Sequence, residues 1–119
     1  MKLIKIINAR QVLDSLADEK DIGAHLSYWM TKFVVKTESD YLFYLSETQK
    51  VFNKYANAEN GELVITADKA EAFAAEIAEI NNTEAEDPGI RFDLSELAAE
   101  LKLSMKQMYP LLDFINENK

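Results

Sequence analysis

His25 is the only histidine in the 119-residue chain, and there is no cysteine. One imidazole cannot make the histidine pair of an HExxH zinc site, and no thiolate is present for metal, disulfide or nucleophilic chemistry. Set between Ala24 and Leu26, His25 is expected to be a packed or surface residue rather than a general base. The 3 glycines are scattered, so no GxxxxGKS/T or GxGxxG loop cradles a phosphate, and no serine stands in a GxSxG context. Carboxylates are the one abundant reactive group, with 21 Asp and Glu. Such groups can supply a general acid and base or magnesium ligands. Here the EF-hand spacing is absent, and Glu76 and Glu79 fall on the polar flank of an alanine-rich helix, where solvation accounts for them. No catalytic, cofactor-binding or metal-binding residue is expected, and the reading is non-enzymatic.

The carboxylates carry more information in where they fall. The net charge is −8, which argues against a general nucleic-acid binder and against an anionic membrane surface as partner. Residues 1–36 sum to +2, 37–61 to −2, 62–101 to −9 and 102–119 to +1. The excess therefore sits in one third of the chain. Its densest stretch, AEINNTEAEDPG at 78–89, holds four acidic residues and no basic one. Read locally, this is a helix exit and a turn. Within an acidic region it also fits a surface that imitates nucleic-acid phosphates through electrostatic steering, with Glu76, Glu79, Glu84, Glu86 and Asp87 as its contact groups.

The elements that position these residues are legible in outline. KLIKII (2–7) is short and β-branched and is expected to be a strand. ARQVLDSLADE (9–19) sets Val12, Leu13 and Leu16 on one helical face. From Ile22 to Tyr55 the period is helical throughout, with Leu26, Met30, Phe33, Thr37, Tyr41, Tyr44, Thr48, Val51 and Tyr55 on one stripe. One helix is the simplest reading, and TESD (37–40) offers a place for a restart. Asn60-Gly61 signals a tight turn before a strand at 62–66. Asp68 with Glu71 reads as a capping box for a helix burying Ala70, Phe73, Ala74, Ile77 and Ile80. Residues 90–92 offer a third strand. Asp93 with Glu96 and Ser104 with Gln107 open two further helices, LSELAAEL and MKQMYPLLDFINE, the latter containing Pro110.

Eight of the chain's aromatic residues lie between Tyr28 and Tyr55, most of them on the core stripe. Tyr28, Val35, Leu42 and Phe43 fall on the opposite side. A helix with a second apolar face is covered there by another helix or by a partner, so Leu42 and Phe43 are candidate protein-binding residues, with self-association among the expectations. Lys32, Lys36, Lys50 and Lys54 line up on the same helix. A lysine row beside aromatics can track a nucleic-acid strand, but with Asp40 and Glu47 close by it reads better as a solvated face that attracts the acidic half of the molecule.

The order of these pieces resembles small proteins encoded in siphophage and prophage genomes of Gram-positive bacteria. The resemblance rests on KIINARQVLDSLA, on YLFYLSETQKVFNKYA ahead of an Asn-Gly turn, and on RFDLSELAAELKLSMKQMYPLLDFI. It implies a phage setting, in virion assembly or in managing host defences, and supplies no functional residues. The expectation is a single, helix-dominated α+β domain over 1–119 with a long central helix and a small two- to three-stranded sheet. It is expected in the host cytoplasm, without cofactor, and bound to a protein partner. The alternative is an acidic, nucleic-acid-mimicking inhibitor of a host defence enzyme such as a nuclease.

Overall fold

The computed structural model describes residues 1–116 and gives a helix-dominated α+β chain. Helix α1 runs Leu3–Ser15 and takes in the stretch expected to be a strand. Leu3, Ile6, Ile7, Arg10 and Leu13 recur at helical spacing and are all buried. Burial of that face outweighs the β-propensity of the isoleucines, so the strand at 2–7 is overturned. Only Lys2 keeps extended character, in an isolated bridge to Glu84.

Helix α2 (Ala24–Lys36) and helix α3 (Glu38–Tyr55) together make the long helical run, which breaks at Thr37. Thr37 sits at φ −99° and ψ 5°, off the helical minimum. The hydrogen-bond ladder nevertheless carries through it, from Thr37 N–H to the Phe33 carbonyl (3.0 Å) and from Tyr41 N–H to the Thr37 carbonyl (2.9 Å). Its buried hydroxyl also donates to Phe33 O at 2.8 Å, the side-chain back-bond that bends helices.

Strands β1 (Asn57–Glu59) and β2 (Glu62–Val64) form an antiparallel hairpin with Glu59 paired to Glu62. The turn holds Asn60 at φ 50° and Gly61 at φ 81°, the positive-φ pair that an Asn-Gly dipeptide supplies. Helix α4 (Ala67–Asn81) follows. Its N-cap is Thr66, two residues ahead of the expected Asp68–Glu71 box, and the Thr66 hydroxyl is hydrogen-bonded to Asp68 instead. Strand β3 (Phe92–Asp93) leads into α5 (Leu94–Glu100), whose N-cap Asp93 accepts from Ser95 N–H. Ser104 and Gln107 do form a reciprocal capping box, at the start of α6 (Met105–Met108). Pro110 then falls in a 3₁₀ turn, Tyr109–Phe114, before β4 (Ile115–Asn116), so the expected final helix is cut short. Its last expected residue, Glu117, lies outside the described residues. β4 pairs in parallel with β3. The strands thus make two separate two-stranded sheets rather than one of three.

The core gathers Ile6, Ala9, Leu13, Leu26, Met30, Phe33, Ile90, Phe92, Leu97, Leu111 and Phe114. Phe33 sits at its centre, 5.0 Å from the Phe114 ring and 5.9 Å from Phe92. These residues belong to α1, α2 and the chain after residue 89, which form a base. The unit α3–hairpin–α4 forms an arm. The radius of gyration is 17.1 Å, with extents of 50 × 30 × 24 Å. A compact chain of this length would measure about 13.5 Å, so the arm lengthens the molecule.

Candidate functional site

A run of exposed apolar residues follows α2 into α3. Tyr28 is 57% exposed, Val35 65%, Leu42 55% and Phe43 47%. Tyr28, Val35 and Leu42 recur every seven residues, the interval that keeps side chains on one line of a helix. Tyr28 also meets the Trp29 ring edge-on at 5.2 Å. The same helices turn Leu26, Met30, Phe33 and Val51 inward, where all are buried. The strip is therefore a second apolar side, as its sequence spacing implied.

The lysine row borders this strip, and its members have different surroundings. Lys54 pairs with Glu76 at 3.0 Å and Lys50 with Glu47 at 3.1 Å. Lys36 donates to the Pro88 carbonyl at 3.2 Å. Lys32 has no ion pair among the described residues. The Lys54–Glu76 contact is the attraction between this row and the acidic region that the charge pattern suggested.

The five nominated carboxylates are spread along α4 and the connection after it. Glu76 accepts from both Lys54 and the Tyr55 hydroxyl, and the Tyr55 bond, then that from Lys54, lowers its pKa. Glu84 pairs with the Met1 amino group. Asp87 accepts from Arg91 at 2.6 Å and from Gly89 N–H at 2.8 Å, and these bonds, Arg91 first, bring its pKa down to about 2. Glu79 and Glu86 have exposed side chains with no ion pair among the described residues. The stretch at 78–89 thus does structural work: Leu3 N–H donates to the Thr83 carbonyl and Ala85 N–H to the Met1 carbonyl, each at 2.8 Å.

A cleft of about 250 Å³ opens where this connection passes the α2–α3 break, lined by Lys36, Ser39, Asp40, Glu86, Asp87 and Pro88. Burial, then the charge of Glu86, raises the Asp40 pKa. Among the described residues no group of three or more His, Asp or Glu is placed to hold a metal ion. His25 lies exposed on α2, 2.8 Å from Glu96. Among the described residues no helix is long and apolar enough to cross a membrane.

Sequence reasoning passed over Arg10. Its side chain is buried against the break, donating to Val34 O at 3.2 Å and to Glu38 at 2.7 Å, with Asp14 at 3.3 Å and the Tyr41 ring at 4.6 Å. Burial works against its charge, but its bonds to Glu38 and Asp14 prevail and its pKa is raised. Arg10 thus ties α1 to the point where α2 becomes α3. The signal was present: Arg10 shares the helical face of Ile6 and Leu13, and Asp14 stands four residues on.

No family model, curated protein or solved structure matches this chain.

Proposed function

We propose that this chain is a non-enzymatic protein-binding module whose contact surface is the apolar strip of α2 and α3, with Leu42 and Phe43 at its C-terminal end. The observation that carries this reading is the exposure of Tyr28, Val35 and Leu42 along one line, with Phe43 beside it, uncovered by the packing of the described residues. Large exposed apolar residues gathered on one side of a helix are a common mark of a protein interface. The resemblance to small phage and prophage proteins supplies the setting, virion assembly or host takeover within the host cytoplasm.

The acidic-inhibitor alternative draws less support. Glu76, Glu84 and Asp87 are engaged within the chain, which leaves Glu79 and Glu86 of the nominated set to meet a partner. The two readings separate in a pull-down from host lysate after nuclease treatment, at low and high salt. Strip binding predicts a partner retained at high salt and lost with Leu42→Asp. Loss with Glu79→Lys plus Glu86→Lys, and binding that fades with salt, would instead favour mimicry.

A further inference from the structure

The strip has a counterpart on the same molecule. Helix α4 buries none of its residues completely, and Phe73, Ile77 and Ile80 are its half-buried apolar side chains. Phe73 meets Phe52 and Tyr55 of α3, each at 6.4 Å between ring centres. On its opposite side Ala72, Ala75 and Ala78 are exposed, bordered by Asp68, Glu71 and Glu79, all within an arc of about 120° at 100° per residue. Likewise Tyr28, Val35 and Leu42 lie opposite the Tyr44, Val51 and Tyr55 side of their helices, with Phe43 on the flank. The two outer faces therefore look away from each other across the α3–α4 pair.

They are complementary in three respects. Large side chains stand out on one and alanines leave room on the other. Lys32 borders the strip without an ion pair among the described residues, and the same holds for Glu71 and Glu79 beside the alanines. The lengths also agree, since both Tyr28 to Phe43 and the whole of α4 span about 22 Å at 1.5 Å per residue.

We propose that the strip is covered by a second copy of this chain, which presents the outer face of its α4. The proposal rests on the reading of the strip as a protein-binding surface and names its partner. Because the two faces point in opposite directions, the contact is heterologous and repeats from copy to copy, closing into a ring or extending as a filament. A contact of one helix on another is small, so assembly rises with concentration.

Sedimentation velocity from micromolar to near-millimolar protein tests this, using the wild type, Leu42→Asp, Ala75→Arg and an equal mixture of the two variants. Circular dichroism checks that each is folded, and Phe43→Asp with Ala72→Arg provides a second pair. The wild type is expected to grow past dimer, and each variant alone to remain monomeric. The mixture is expected to form a one-to-one heterodimer, because one variant keeps its α4 face and the other its strip. A wild type that stays monomeric throughout overturns the proposal, as does a mixture that fails to pair. A dimer that Leu42→Asp removes and Ala75→Arg leaves intact overturns it too, since the strip would then meet itself. If the wild type is monomeric yet Leu42→Asp loses the lysate partner, self-association fails while the strip stands as a surface for another protein.

Discussion

The base and the arm are built from helices of similar composition but are held together differently. In the base, Phe33, Phe92 and Phe114 are almost wholly removed from solvent and pack against one another. In the arm, Val51 is the one buried apolar residue of α3 and α4, and the aromatic contacts at Phe73 are half exposed. Hydrophobic stabilisation scales with the apolar area taken from water. The base therefore holds most of the stability, and the arm opens at a lower free energy, as sub-global units with few buried contacts do. What the arm offers instead is exposed surface on two sides.

The largest effect should come from the base. Phe33→Ala is expected to cost about 3–5 kcal/mol, as large-to-small changes in a packed core do. Phe73→Ala, at a half-buried position in the arm, should cost about 1–2 kcal/mol. Urea unfolding of both variants checks the contrast; equal losses would mean that the arm is as firmly packed as the base. Next is the tie between the two regions. Arg10→Met keeps the apolar stem but leaves Val34 O and Glu38 without their donor, for an expected loss of about 2 kcal/mol. Hydrogen exchange should rise around Thr37 and in α3 ahead of α1; uniform change along the chain would deny Arg10 that role.

Smaller still are two carboxylates of one cleft, which should respond to pH in opposite senses. Asp87 has a folded-state pKa lowered to about 2 from 3.8, so its contribution is present above pH 3.8 and fades as pH falls toward 2. Allowing for solvent screening of a partly exposed pair, Asp87→Asn should cost about 1 kcal/mol at neutral pH and little at the acid end. Asp40 has a raised pKa, from burial and then from Glu86, so protonation favours the fold and its contribution is lost as pH rises through the folded value. Asp40→Asn should therefore stabilise slightly at neutral pH. Melting temperatures across the acid range test both signs, and parallel shifts in the two variants would contradict the assignment.

What could be read from the sequence depended on whether one local pattern dominated. The Asn60-Gly61 turn and the Ser104–Gln107 box are set by adjacent residues, and both form. The second apolar side of the long helical run followed from the positions of Tyr28, Val35, Leu42 and Phe43 alone. The segment at 2–7 misled because three isoleucines spoke for a strand, while the helical period that wins becomes clear only when Arg10 is admitted to the buried face. TESD marked where the long run could restart, but that it does break at Thr37 became clear only with α1, since Arg10 takes up Val34 O from 24 positions away. The acidic cluster was legible only in part: spacing cannot tell that Glu76, Glu84 and Asp87 each meet a cation within the chain.

If binding belongs to the strip, exposed apolar surface elsewhere should not support it. The base has such surface too, at Leu112, which is 52% exposed against 55% for Leu42. Leu42→Asp and Leu112→Asp, both confirmed folded, should be compared for capture of the lysate partner at high salt. Leu42→Asp should lose capture by tenfold or more, about 1.4 kcal/mol in binding free energy, while Leu112→Asp retains it. Capture lost with Leu112→Asp and kept with Leu42→Asp would contradict binding at the strip.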